Sequence, residues 1–160
     1  MYKTKNDLSL EVREKICALC NAQLANCIDL QTQTKQAHWN VKGPEFIGLH
    51  LLFDKIFKDV VTWVDLIAER GVMMGGIANG TVREVAKATK LKEYPHDIAG
   101  CHDHVIALSS VLGQFGAGVR EAIDAADGLE DADTADMFTQ ISRCNDKWLW
   151  FVEAHLQAPN

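Results

Sequence analysis

One helical stretch constrains this chain more than any other. After Pro44 nothing stops a helix until Gly71, and apolar residues recur at helical spacing, so residues 45–72 read as one helix. That helix carries His50, Asp54, Asp65 and Glu69. His50 and Asp54 are four apart, as are Asp65 and Glu69, so each pair shares a face. At 100° per residue the two pairs point nearly the same way, and all four form one stripe. They are far apart along it, because eleven residues at about 1.5 Å each put Asp54 roughly 16 Å from Asp65. One metal centre cannot use both pairs of one helix. The pairs are, however, symmetric about a point between Asp59 and Val60. A two-fold axis there would lay a second copy antiparallel to the first. His50 would then face the other copy's Glu69, and Asp54 its Asp65. Helix axes about 8–10 Å apart leave room for a bridged ion. The spacing therefore predicts two metal sites per dimer, each shared by two chains. The competing reading is a solvated face, the common fate of such pairs. The flanking Leu49, Phe53, Ile56, Phe57, Val60, Val61, Val64, Ile67 and Ala68 argue for metal, since carboxylates in apolar surroundings are costly unless paired or metal-bound.

The 160 residues suit one domain: a short, loose tail over 1–8 and a bundle over 9–160. A net charge of −6 argues against a generic nucleic-acid surface and suits a protein that attracts cations. No apolar run is long enough for a transmembrane helix, and the first residues lack a signal-peptide core, so no membrane partner and a cytoplasmic location are expected. Five cysteines, an odd number, fit reduced thiols; Cys17 and Cys20 lie inside a helical pattern and read as buried structural thiols.

Helix A is expected over about 9–39, capped by Ser9, with His38 facing the core side near its end. Asn40–Pro44 is a tight turn, which makes helices A and B antiparallel neighbours. A long connection follows, with a short helix over 82–88. Helix C is expected over about 96–126 with Asp97 near its start, and helix D over about 134–157, capped by Asp133 or Thr134. His102, Asp103 and His104 are consecutive, so they point apart and cannot converge on one ion. Trp148 and Trp150 read as packing residues. The fold class is all-α: a ferritin-like four-helix bundle whose long B–C crossover carries a short helix.

Several segments resemble the Dps family of mini-ferritins over nearly the whole chain. They are TKQAHWNVKGPEFIGLHLLFD (34–54), DLIAERGVMMGG (65–76), and TADMF and DKWLWFVEAHL in helix D. The resemblance implies a ferroxidase centre at a two-fold interface, with His38, His50 and Asp54 from one subunit and Asp65 and Glu69 from its neighbour. It also implies a hollow dodecamer that stores ferric mineral, with Fe(II) and hydrogen peroxide as substrates. Trp39 resembles the family's aromatic residue beside the site, where it would quench radicals or pack at the turn. Asp131, Asp133 and Asp136, with Glu130, match the region lining the family's three-fold pores; their alternative role is helix capping.

Imidazole plus carboxylate suits iron, and admits Zn²⁺ or Mn²⁺ as substitutes. Glu69 and Asp54 are the expected direct oxygen ligands, and His38 and His50 the neutral nitrogen donors. Asp65 binds directly, through water, or by orienting a histidine. Some family members bind DNA through a long basic tail. Here Lys3 and Lys5 are the tail's only cationic side chains and QAPN at the C-terminus carries none, so DNA binding is expected to be weak or absent. The alternative is a DNA-condensing nucleoid protector in the bacterial cytoplasm whose metal site is secondary.

Overall fold

A computed structural model describes residues 1–157. It contains five helices: α1 (Leu10–Asn40), α2 (Phe46–Met73), α3 (Val82–Ala88), α4 (Cys101–Asp127) and α5 (Ala132–Glu153). α1 packs on α2 and α4 on α5 as two antiparallel hairpins, and α3 lies on α1 within the long α2–α4 crossover. The expected ferritin-like bundle is therefore present, with its short helix over the expected residues.

The core forms because each long helix buries one stripe. On α2 that stripe is Leu49, Phe53, Ile56, Val60, Trp63 and Ile67. It meets Ile16, Cys20, Leu24, Cys27 and Leu30 of α1, and Leu108, Leu112, Phe115 and Val119 of α4. Trp63 stacks on Phe115 with ring centroids 6.0 Å apart. Burial pushes the Cys20 thiol up to about 12 and drives Cys27 higher still, so both remain neutral packing groups. Among the described residues all five cysteines are free.

Three boundaries differ from the sequence expectation. α4 begins at Cys101, because the backbone just before it is used elsewhere: Lys42 N–H donates to Ala99 O (2.9 Å) and Cys101 N–H donates to Lys42 O (3.0 Å). This short parallel bridge ties the crossover to the α1–α2 turn and leaves Asp97 outside the helix. α5 begins at Ala132 because Asp131, not Asp133 or Thr134, is its cap, accepting from the Thr134 amide. The same helix stops at Glu153, and the last residues expected of it form a turn. Residues 158–160, the end of the expected domain and of the QAPN segment, lie outside the described residues.

The N-terminal segment is docked rather than loose. Arg13 on α1 donates to Leu8 O (3.2 Å) and Met74 O (3.0 Å), so one guanidinium holds both the tail and the end of α2. Tyr2 N–H donates to Gly75 O (2.7 Å). Gly75 has a φ of 89°, and a Cβ there would lie 2.6 Å from Tyr2 O, so only glycine serves.

A polar rail on α1 holds the crossover. Asn21 binds Ile77 O and the Asn79 amide, Asn26 accepts from the Lys90 amide, Asp29 accepts from the Thr89 hydroxyl, and Gln33 donates to Lys92 O. Each side chain satisfies a group that has no helix or sheet to pair with. Further along, the Tyr94 hydroxyl meets His104 Nδ1 at 2.7 Å. His104 is 1% exposed, and its Nε2 faces the Asn40 carbonyl without a well-formed hydrogen bond. His102 is exposed, so the two histidines do diverge as expected.

Burial lowers the His104 pKa below its ordinary value. The unfolded chain therefore takes up this proton first, and stability falls as pH drops below the unfolded value of about 6.5. Melting curves at pH 8, 7, 6 and 5 should show this loss. His104→Gln should melt lower than wild type at pH 8 yet lose less between pH 7 and 5; equal losses in both would exclude His104 as the cause.

Candidate metal centre

The period of α2 decides which way the candidate ligands face. Its buried stripe points into the bundle, so His50, Asp54, Asp65 and Glu69 point away from it. Asp65 and Glu69 are exposed, and His50 and Asp54 are half-buried. The desolvation argument drawn from the flanking apolar residues therefore fails for a single chain. Of the flanking residues, Leu49, Phe53, Ile56, Val60 and Ile67 are buried on the bundle face, while Phe57, Val64 and Ala68 are half-buried and Val61 is exposed.

His38, in the last turn of α1, and His50, in the second turn of α2, meet across the hairpin. Their rings stack with centroids 3.7 Å apart and planes 24° from parallel. The contact is reciprocal: His38 Nδ1 lies 2.7 Å from His50 O, and His50 Nδ1 lies 2.8 Å from His38 O. Carbonyl oxygens only accept, so each Nδ1 carries hydrogen, and in the neutral ring the lone pair then lies on Nε2. The backbone thus orients both rings and sets the tautomer in which Nε2 is the metal-binding atom. Phe46 packs at 5.1 Å from the His50 ring, on the turn side.

Asp54 lies one turn beyond His50. Its Oδ1 accepts from Lys35 of α1 at 2.6 Å, and its Oδ2 from Lys58 of α2 at 2.9 Å. These two hydrogen bonds, Lys35's first, hold the Asp54 carboxyl well below the usual carboxylate range. Lys58 at i+4 was available to sequence reasoning as a partner; Lys35 was not, because it comes from another helix. Asp65 and Glu69 have no hydrogen bond or ion pair among the described residues.

The fold therefore brings His38 and His50 together with Asp54 beside them, and leaves Asp65 and Glu69 on the far half of the same open face. Within one chain, no three His, Cys, Asp or Glu side chains among the described residues converge to hold an ion. Trp39, beside the first candidate ligand, is 64% exposed and does not pack at the turn. Phe46, Ile47, Leu51 and Val61 are also exposed, so the open face is apolar around the polar stripe.

Of the three pore candidates, Asp131 is corrected. It is 3% exposed and committed to Arg70, whose Nη2 donates to Oδ1 at 2.6 Å, and to the Thr134 hydroxyl. Arg70 Nε also donates to Thr134 (2.7 Å). Burial alone would raise the Asp131 pKa, but these hydrogen bonds outweigh it and hold the carboxyl below its ordinary value. Asp133 and Asp136 are exposed, and Glu130 beside them has a left-handed φ of 59°. The Arg70 pairing ties the end of α2 to the start of α5. Sequence reasoning missed it because 61 residues separate Arg70 from Asp131.

Comparison with known proteins points one way. Residues 17–159 match the ferritin-like domain family. A "DNA protection during starvation protein" from Agrobacterium fabrum is 47% identical over 156 residues, covering 98% of this chain and 96% of the relative. Its counterpart in Mycolicibacterium smegmatis is 31% identical, covering 94% of this chain and 82% of the relative. Among solved structures, Mycobacterium smegmatis Dps superposes with a TM-score of 0.94 at 29% identity, covering 100% of this chain and 91% of that one. Dps from Microbacterium arborescens "in the high iron form" superposes with a TM-score of 0.88 at 28% identity, covering 99% of this chain and 100% of that one.

Removing one partner of a buried ion pair strands the other. Arg70→Met should therefore cost about 3 kcal/mol, read as a lower melting temperature at pH 7. Arg70→Lys should recover part of the loss. An unchanged melting temperature in Arg70→Met would mean that the pair contributes nothing to stability.

Proposed function

We propose that this chain, which belongs to the Dps family of mini-ferritins, is a ferroxidase and iron store whose active centres are completed between two copies of itself. Two Fe(II) ions bind at each centre. One hydrogen peroxide accepts an electron from each and, with two protons, leaves as two waters. Using both electrons at one place avoids releasing hydroxyl radical. The Fe(III) product moves inward and is kept as mineral.

The observation that carries this reading is the His38–His50 pair. Two helices are joined so that two imidazoles stack, both backbone-oriented, with Nε2 of each free to bind a metal. Nitrogen donors arranged in this way, beside a carboxylate, suit Fe(II) and admit Zn²⁺ or Mn²⁺. His38, His50 and Asp54 supply one side of the centre. Asp65 and Glu69 of a second copy supply the other, by the two-fold symmetry of their spacing. That both carboxylates are exposed and unpaired on the same face of α2 fits this arrangement, as do the apolar side chains around them. Closing this face against its own copy desolvates the centre and strengthens each metal–ligand interaction. The complete shell is a homo-oligomer, which we assign as a dodecamer by family. Trp39 stands at the rim of the centre as a candidate radical sink. Asp133 and Asp136 are the carboxylates left to attract cations to a pore.

Protection of DNA follows from removing iron and peroxide together, without direct binding. The tail lysines Lys3 and Lys5 belong to a segment pinned by Arg13 and Gly75, and the chain carries a net charge of −6. No helix among the described residues is long and apolar enough to cross a membrane.

Fe(II) oxidation by hydrogen peroxide and by dioxygen, followed for wild type and Glu69→Ala, tests the main reading. Wild type should oxidise Fe(II) with peroxide faster than buffer and retain the iron. Glu69→Ala should be slower by about tenfold or more. Wild-type oxidation no faster than buffer would sink the reading. Shells reassembled from equal His50→Ala and Glu69→Ala subunits should recover about a quarter of the wild-type rate, since half the interfaces are mixed and each mixed interface has one intact centre. If each chain held a whole centre, mixing would restore nothing. Intact protein should leave duplex DNA unshifted in a gel at neutral pH and physiological salt; a clear shift would favour the DNA-condensing alternative.

A further inference from the structure

Asp54 is not an empty ligand. Both of its oxygens hold an ammonium group, and the two lysines differ in how firmly they are placed. Lys35 is 22% exposed, and its Nζ also lies 4.6 Å from the centre of the Phe57 ring. The aromatic face and the carboxylate fix it together, at a site where leaving means losing both. Lys58 is 70% exposed and holds only Oδ2, from the next turn of the same helix. An exposed i, i+4 pair of this kind is weakly held, because water screens it and the long side chain loses freedom on pairing.

From this contrast we infer that Lys58 is the cation that Asp54 holds before metal binds. It neutralises Asp54 Oδ2 until a divalent cation displaces it, while Lys35 stays on Oδ1. The inference rests on the reading of this face as a metal centre. Lys58 lies on the ligand stripe, one turn from Asp54 on the side towards Asp65. When two copies close, its charge sits inside the face that brings the carboxylates together. There it does two things. It lowers the cost of bringing several carboxylates together before metal arrives. It also sets a threshold, because an incoming cation must outcompete a tethered ammonium group. A monovalent ion gains little over what it displaces, whereas a divalent ion gains roughly twice the Coulomb attraction at the same distance. Lys58 is thus a specificity-determining residue: it biases the centre towards divalent cations and against partial filling by monovalent ones.

The test uses Co²⁺, a coloured, redox-quiet divalent probe, titrated into the intact assembled protein and read by its visible ligand-field band. Four proteins are compared: wild type, Lys58→Met, Lys55→Met and Glu69→Ala. Lys55 is the control for general charge, since it adjoins Asp54 in sequence but is exposed and makes no ion pair among the described residues. Lys58→Met should bind Co²⁺ about two- to threefold more tightly than wild type, the effect of deleting one exposed ion-pair partner. Excess K⁺ should erode Co²⁺ binding to Lys58→Met more than to wild type or to Lys55→Met, which should match wild type, because no tethered ammonium group then keeps the monovalent ion off Asp54. Lys58→Met binding equal to or weaker than wild type overturns the inference, as does equal tightening in Lys55→Met. If Glu69→Ala titrates like wild type, the band does not come from this centre, and the metal reading falls together with the inference. If Glu69→Ala loses the band and Lys58→Met matches wild type, the metal reading stands and only the role of Lys58 is lost.

Discussion

The packing of one face of α2 against α1 and α5, over the core shared with α4, is the constraint on which everything else depends. Once Leu49, Phe53, Ile56, Val60, Trp63 and Ile67 are buried, a 3.6-residue period leaves no choice for the intervening positions. His50, Asp54, Lys58, Asp65 and Glu69 must face outward. Truncating one of the fully buried side chains, such as Phe53, removes several kcal/mol of packing, typically about 3–5. The functional face is thus held by residues that never touch it. A centre built this way is rigid in register and incomplete in composition, because a single helix cannot bend its far carboxylates back to its own histidines.

The α1–α2 turn adds the local precision. Its backbone is used from both sides: Lys42 bridges to Ala99 and Cys101, and the carbonyls of His38 and His50 each hold the other's ring. Neither histidine is placed by its own side-chain torsions alone. The crossover reaches this turn through the Lys42 bridge, and is itself held along α1 by Asn21, Asn26, Asp29 and Gln33 and against α4 by the Tyr94–His104 contact. A connection with no regular pairing of its own is ordered in this way by side chains borrowed from a helix.

Charge pairing divides the acidic side chains into three kinds. Asp131 is buried, capped into α5 and neutralised by Arg70, which makes it a structural carboxylate. Asp54 is half-open and held by two lysines that a stronger cation can challenge. Asp65, Glu69, Asp133 and Asp136 remain solvated. The distinction is one of dielectric. A buried pair is locked because separation leaves an unsolvated charge, whereas an exposed pair exchanges partners with water and ions at little cost.

The linear chain determined what depends on period and spacing. The four long helices, the short helix over 82–88, the two hairpins and the symmetric placement of the ligand pairs on α2 all follow from residues a few positions apart. The start of α4 was not legible, because Ala99, Gly100 and Cys101 are drawn into a bridge with Lys42 by contacts 59 residues away. The docked tail was hidden for the same reason, since Arg13 reaches Met74 across 61 residues. The apolar neighbours of the ligand stripe were legible, but which face they took was not. Sequence alone suggested carboxylates surrounded by hydrocarbon; the tertiary structure buries Leu49, Phe53, Ile56, Val60 and Ile67 in the bundle and leaves Phe46, Ile47, Leu51 and Val61 exposed around the stripe. Only the packed hairpin could bring His38 onto His50 or Lys35 onto Asp54. Such contacts are set by how two helices cross, and no local periodicity encodes that crossing.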